Sequence, residues 1–68
     1  MANRKLNRIK VVLVEQGVTS AELAKALGKN PVSVSRWCTN ETQPSLETLF
    51  DVADYLKVDI AELLNRTL

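Results

Sequence analysis

Apolar residues recur along this chain every three or four positions, which is the spacing of helices that bury one face. No segment alternates apolar and polar residues with the two-residue period of a β-strand. The pattern predicts five helices, over about residues 3–16, 20–27, 31–39, 46–57 and 60–65. The predicted fold class is therefore all-α, a compact five-helix bundle in one domain that covers residues 1–68.

The starts of two predicted helices carry a capping box, in which a side chain before the helix and a glutamate three positions later bond each other's backbone. Thr19 and Glu22 have this spacing at the second helix, and Asp59 and Glu62 repeat it at the fifth. The apolar faces of the helices define the predicted core. Its members are Leu6, Ile9, Val12, Leu13, Leu23, Ala24, Leu27, Val34, Trp37, Leu46, Leu49, Phe50, Ala53 and Leu56.

The second and third helices are separated only by the turn from Gly28 to Asn30. Gly28 suits the left-handed conformation that turns the chain, and the small Ala24 lets the two backbones approach. Asn30 is placed to cap the third helix, and Pro31 takes its first position, where a missing amide hydrogen costs nothing. This is the pattern of a helix-turn-helix, whose second helix enters the major groove of DNA.

The third helix directs Pro31, Val32, Ser35 and Arg36 away from its apolar residues. Arg36 can give guanine a bidentate contact, worth about 1–3 kcal/mol of discrimination between bases. Val32 offers methyl groups to the methyl of thymine, and Ser35 can bond a base or a phosphate. The alternatives are structural: Arg36 as an exposed arginine paired with a nearby acid, and Pro31 as a residue that only starts the helix.

Charge is distributed unevenly along the chain. Residues 1–36 hold seven lysines or arginines and two acids, whereas residues 37–68 hold two lysines or arginines and six acids. A basic half and an acidic half favour a molecule with one face toward a polyanion, although chance segregation on a solvated surface gives the same pattern.

The residue types that enzymes and metal sites need are scarce here. The chain has no histidine, its one cysteine is Cys38, and no glycine-rich phosphate loop is present. The sequence therefore predicts no enzyme, no metal, no cofactor and no small-molecule ligand. Cys38 is expected to be a semi-buried apolar residue rather than a redox switch. The longest apolar run, Val11 to Val14, is too short to span a membrane. Because a single cysteine cannot form an internal disulfide, a reducing cytoplasm is the expected location.

Several short segments occur in one order from residue 7 to residue 64. They are Arg8-Ile9-Lys10, Gly17-Val18-Thr19, Glu22-Leu23-Ala24, Leu27-Gly28, Val34-Ser35-Arg36-Trp37, Pro44-Ser45-Leu46-Glu47-Thr48-Leu49 and Val58-Asp59-Ile60-Ala61-Glu62-Leu63-Leu64. In this combination the chain resembles the Cro/CI-type (XRE-type) helix-turn-helix family of phage and bacterial repressors. The resemblance implies a five-helix DNA-binding domain of the lambda-repressor type, with the helix-turn-helix formed by helices 2 and 3. It also implies a homodimer on a palindromic operator.

Carried over by position, the family's base-facing sites fall on Pro31, Val32 and Arg36, beside the outward Ser35. The predicted phosphate-facing residues are Thr19, Ser20, Lys29, Asn30, Ser33, Thr39 and Gln43. Ser33 is equally suited to a bond with its own helix cap.

The chain departs from the family pattern at positions that bear on DNA affinity. Ser20 stands where many members have a longer glutamine, and Pro31 and Val32 donate no side-chain hydrogen bonds. After the third helix, Asn40 and Glu41 replace a glycine and a basic residue. Asn40 can take the left-handed conformation usually given to glycine, whereas Glu41 would repel a phosphate. These departures predict modest affinity per subunit and make a dimer more necessary.

The sequence thus predicts a sequence-specific regulator of transcription, of the repressor type, that binds double-stranded DNA. The alternative is an antitoxin-like protein-interaction module that keeps the fold with weak or no specific DNA binding. The dimer interface is predicted at the C-terminal segment around Ile60, Leu64 and Leu68. Val11 and Val14 on the first helix are the alternative interface, or are simply exposed valines.

Overall fold

The computed structural model describes residues 5–65 of the chain. Four α-helices and one 3₁₀ helix occur in this range, and no strand longer than a single bridge occurs there. The helices are α1 (Ile9–Gln16), α2 (Ser20–Leu27), α3 (Pro31–Cys38) and α4 (Leu46–Leu56), and the 3₁₀ helix is Ile60–Leu63. The all-α class is confirmed, but the prediction of five α-helices is wrong.

The first helix begins later than predicted, at Ile9, and Leu6 is largely exposed instead of buried. Asn7 Oδ1 accepts a hydrogen bond from the Ile9 amide at 3.1 Å, but the N-cap position is Arg8, whose side chain makes no capping bond. Asn7 also pairs with Leu64 in an isolated antiparallel bridge. A residue in an extended bridge cannot continue a helix, so residues 5–8 run beside the end of the described chain.

The predicted fifth α-helix is a single 3₁₀ turn for the same reason. Asp59 caps it, accepting from the Ala61 amide at 2.8 Å. The chain then becomes extended: the Leu63 carbonyl accepts from the Arg8 amide at 2.7 Å, and the Asn65 amide donates to the Leu6 carbonyl at 3.0 Å. These bonds use backbone groups that a longer helix would need.

The core is formed by one face of each helix. Its buried apolar residues are Ile9, Val12, Leu13, Leu23, Ala24, Val34, Trp37, Leu49, Val52, Ala53, Leu56 and Leu63. Leu27 is half-buried and packs against this cluster. Besides Leu6, two more predicted core members are wrong: Leu46 and Phe50 are 67% and 51% exposed, and Val52 is buried on α4 in their place. The buried face of α4 follows the spacing of Leu49, Val52, Ala53 and Leu56, which leaves Phe50 to one side and Leu46 at the open first turn.

Candidate DNA interface

The turn between α2 and α3 is short, and its Gly28 and Lys29 amides both bond carbonyls of α2. Gly28 has a left-handed backbone (φ 66°), and the next amide, of Lys29, donates to the Ala24 carbonyl at 2.9 Å. A Cβ atom on Gly28 would meet nothing within 4 Å, so the backbone conformation, not space, favours glycine here. Ala24 is buried where α2 packs against α3. The predicted helix-turn-helix geometry is therefore present.

The third helix divides cleanly into a buried and an exposed side. Val34 is fully buried and Trp37 nearly so, while Val32 is 57% exposed. Val32, Ser35 and Arg36 follow the three- and four-residue spacing of one helix face, and all three are exposed. Pro31 is also exposed, at the first helical position. The structure thus brings the four predicted base-facing residues onto the outer surface of α3.

Arg36 lies beside an acid at the C-terminal end of this surface. Its Nε is 3.6 Å from Oε2 of Glu41, and both side chains are more than half exposed. The structural alternative considered for Arg36, an ion pair with a nearby carboxylate, is therefore present in the structure. Such a pair in solvent is readily exchanged for another partner because it contributes little stability.

The turn after α3 closes on the backbone of Arg36. Its carbonyl oxygen accepts from the amides of Glu41 at 2.9 Å and Thr42 at 3.3 Å, and from the hydroxyl of Thr39 at 3.1 Å. Asn40, between them, has the left-handed backbone (φ 61°) that the sequence predicts. The Arg36 carbonyl, one of the last four of the helix, is thereby bonded within the protein.

Asn40 is buried, and its side chain holds this turn in place. Its Oδ1 accepts from the amides of Leu6 and Asn7, each at 2.9 Å, and from Nε2 of Gln43 at 3.1 Å. Its Nδ2 donates to the Asn7 carbonyl at 3.1 Å. Asn7 in turn donates to the Trp37 carbonyl at 3.0 Å and to Gln43 at 2.7 Å. The C-terminal end of α3 is therefore fastened to the segment before α1.

Several predicted phosphate-facing side chains already serve inside the fold. Thr19 and Glu22 form the predicted capping box, with Thr19 Oγ1 accepting from the Glu22 amide at 3.1 Å. Asn30 caps α3 by accepting from the Val32 amide at 2.8 Å. Gln43 belongs to the asparagine network. The hydroxyl of Thr39 is likewise bonded, to the Arg36 carbonyl. The remaining predicted phosphate-facing residues are the half-buried Ser20 and the exposed Lys29 and Ser33.

Two lysines that the sequence did not single out lie next to this surface. Lys5 and Lys10 line a groove of about 370 Å³ together with Cys38 and Thr39. Burial raises the pKa of the Cys38 thiol above its ordinary value, and the charge of Lys10 offsets part of that rise. The cations were visible in the basic N-terminal half, but their place beside α3 depends on contacts between distant parts of the chain.

Residues 5–65 contain neither a metal-binding cluster nor a membrane-spanning helix. No group of three or more histidine, cysteine, aspartate or glutamate side chains comes together there as a metal site would need. None of the helices in this range has the length and apolar character needed to cross a bilayer.

Two short helices joined by a bonded left-handed turn, with the second presenting an exposed face, define a helix-turn-helix domain. A Helix-turn-helix family model (HTH_3) matches residues 9–63. The chain is also similar to the crystal structure of a candidate DNA-binding protein from Bacteroides fragilis, with 52% identity and a TM-score of 0.87. That match covers 88% of this chain and 97% of the other. No curated protein matches the chain. The chain belongs to the helix-turn-helix family of the XRE type.

Proposed function

We propose that this protein regulates transcription by binding double-stranded DNA sequence-specifically, with α3 in the major groove, and that it acts as a repressor. The observation that carries the proposal is the exposed face of α3, on which Val32, Ser35 and Arg36 stand together while Val34 and Trp37 anchor the helix. An α-helix fits the major groove of B-DNA, and side chains on its outer face then reach base edges. The related protein from Bacteroides fragilis is described as a candidate DNA-binding protein, which supports the same partner here.

Arg36 is assigned the main part in base discrimination. It alone on this face carries a forked donor that matches guanine O6 and N7. Val32 adds contact with thymine methyl groups, and Ser35 bonds either a base or a phosphate. The amides at the starts of α2 and α3 that the caps Thr19 and Asn30 do not bond, with Ser20, Lys29 and Ser33 nearby, are assigned to phosphates.

The active form is proposed to be a homodimer on a palindromic operator, because one subunit offers a single strong base contact. Leu6, Leu46 and Leu64 are exposed and line an apolar groove of about 240 Å³ with Pro44 and Leu49. We assign this groove to a second copy of the chain, in line with the predicted C-terminal interface. Of the residues predicted there, Leu64 lines the groove, Ile60 packs on the core, and Leu68 lies outside the described residues.

The test is selection of the purified protein against random double-stranded DNA, with Arg36→Ala and Arg36→Lys in parallel. The wild type is expected to select a palindrome whose half-sites are about one turn, ~34 Å, apart. Both variants are expected to lose the guanine preference. Arg36→Lys should keep the salt dependence of wild type because it retains the charge while lacking the fork.

A selection that returns no preferred sequence would overturn the proposal. The protein-interaction module would then take its place, and the exposed Val11 and Val14 of α1 would be the next surface to probe. If wild type and Arg36→Ala select the same preferred sequence, sequence-specific DNA binding stands but Arg36 does not have its assigned role.

A further inference from the structure

Glu41 places a negative charge on the surface that the proposed function assigns to DNA. Its Oε2 lies 3.6 Å from Nε of Arg36, with both side chains in solvent. The pair adds little to folding stability. A carboxylate there also opposes the phosphate backbone, so it lowers affinity for DNA of any sequence. A role in general DNA binding or in stability therefore does not account for it.

The backbone holds Glu41 next to Arg36. The Glu41 amide donates to the Arg36 carbonyl at 2.9 Å, which fixes the two residues on one closed turn. Asn40, immediately before it, is buried, left-handed and bonded through both side-chain polar atoms. The carboxylate is thus kept within reach of the guanidinium by an anchored turn.

We propose that Glu41 is a specificity-determining residue, which directs Arg36 toward a base edge and away from the phosphates. This inference rests on the proposed function. A phosphate carries a full negative charge, whereas guanine O6 and N7 are neutral acceptors, so a neighbouring carboxylate penalises the phosphate contact more. The ion pair engages Nε, and the terminal amino groups of the fork are suited to the guanine edge.

The test measures the dissociation constants of wild type, Glu41→Gln, Arg36→Ala and the double variant across a range of salt concentrations. Two duplexes are used: the selected operator, and the same operator with the guanine opposite Arg36 replaced. Glu41→Gln is expected to bind both duplexes more tightly. The ratio of its dissociation constants for the substituted duplex and the operator should fall at least about threefold below the wild-type ratio. Its plot of log K against log salt should steepen by about 0.9, as Arg36 gains a phosphate.

In the Arg36→Ala background, Glu41→Gln is expected to leave the ratio between the two duplexes unchanged, because no guanidinium remains to redirect. Glu15→Gln is the matched control, since it removes the same charge from an exposed position on α1. It should leave the ratio at its wild-type value.

The outcomes separate this inference from the function on which it rests. A wild type that prefers the operator, with the ratio unchanged or raised in Glu41→Gln, overturns the role of Glu41 alone. The inference is also overturned if Glu41→Gln lowers the ratio of dissociation constants equally in the wild-type and Arg36→Ala backgrounds, because the effect would then not pass through Arg36. A wild type that binds both duplexes equally overturns this inference and removes Arg36 from base reading, whereas only a selection that returns no preferred sequence overturns the proposed function itself.

Discussion

The side-chain oxygen of Asn40 accepts a hydrogen bond from the backbone amide of Asn7, 33 residues earlier in the chain, at 2.9 Å. This bond joins the turn behind the exposed helix α3 to the segment that starts the first helix. It lies in a buried polar network in which every described buried side-chain polar atom has a partner. Because a satisfied buried network specifies one arrangement, the end of α3 has a defined position relative to α1.

Replacement of Asn40 is expected to be among the more destabilising changes to a polar residue. Asn40→Ala removes the side-chain hydrogen bonds of the network. It also leaves an alanine in the left-handed conformation at φ 61°, which is strained for that residue. Together these changes predict a loss of about 2–4 kcal/mol in the free energy of unfolding. Asn40→Gly relieves the backbone cost and should be about 1 kcal/mol more stable than Asn40→Ala. Urea unfolding followed by the fluorescence of Trp37 measures both.

The comparison also separates the two causes. Equal stability of Asn40→Gly and wild type would mean that the side-chain hydrogen bonds add nothing. Equal stability of the two variants would mean that the left-handed backbone adds nothing.

Gly28→Ala is expected to destabilise the fold by about 1 kcal/mol, through its backbone alone. The added Cβ meets no atom within 4 Å, but φ of 66° is strained for alanine. Gly28→Asn should cost less, because asparagine tolerates the left-handed region. The midpoint of thermal unfolding checks the order, and a destabilisation of Gly28→Asn equal to that of Gly28→Ala would contradict the backbone argument.

The stability of the protein is expected to depend on pH through Cys38. Burial raises the pKa of its thiol above 9.0, with Lys10 opposing the shift, so the folded state holds this proton more tightly than the unfolded state. The contribution of this thiol to the free energy of unfolding is constant below the pKa of the thiol in the unfolded state. It is lost as the pH rises through the pKa of the thiol in the folded state. Unfolding of wild type and Cys38→Ala is compared from about pH 7 to about pH 10.

Wild type should lose more stability than Cys38→Ala over the alkaline part of that range. Parallel curves for the two proteins would show that the thiol titrates alike in both states. The same burial predicts slower alkylation by iodoacetamide than for an unstructured peptide thiol.

Self-association is expected to depend on the apolar groove at α4 and not on the exposed valines of α1. Leu46→Glu places an acid in the first turn of α4, where the helix dipole tolerates it, and should shift the protein from dimer to monomer. Val14→Lys places a cation near the end of α1, which the dipole also tolerates, and should leave the dimer intact. Sedimentation equilibrium measures the dissociation constant of each, and the opposite result would move the interface to α1.

Most parts of this fold that depend on neighbours in the chain were predicted from the sequence. The exception is the capping box expected at Asp59 and Glu62, because Asp59 bonds the Ala61 amide instead. The capping box at Thr19, the Asn30–Pro31 start of α3 and the left-handed Gly28 and Asn40 are local features, and all are present. The exposed face of α3 followed from the same periodicity. Which exposed residues bind DNA remains a prediction.

The errors arose where contacts distant in sequence decide the structure. The late start of α1 and the shortened last helix both result from the pairing of residue 7 with residue 64, and neither segment carries a local signal for it. The exposure of Leu46 and Phe50 depends on how α4 is turned against the other helices. The sequence left open whether Arg36 pairs with an acid and with which one. Glu41 is that acid because the closed turn places it there, and the turn depends on the buried asparagines.

The bridge between Asn7 and Leu64 has a consequence for the two extremities of the described chain. Nδ2 of Asn65 also bonds the Lys5 carbonyl at 2.6 Å, so the polypeptide closes into a ring held by hydrogen bonds. Residues 5–8 and residues 63–65 are therefore each other's hydrogen-bond partners, and release of either segment removes those bonds from the other. A circular permutant that links residues 5 and 65 and opens the loop before α4 would keep every helix beside its present neighbours.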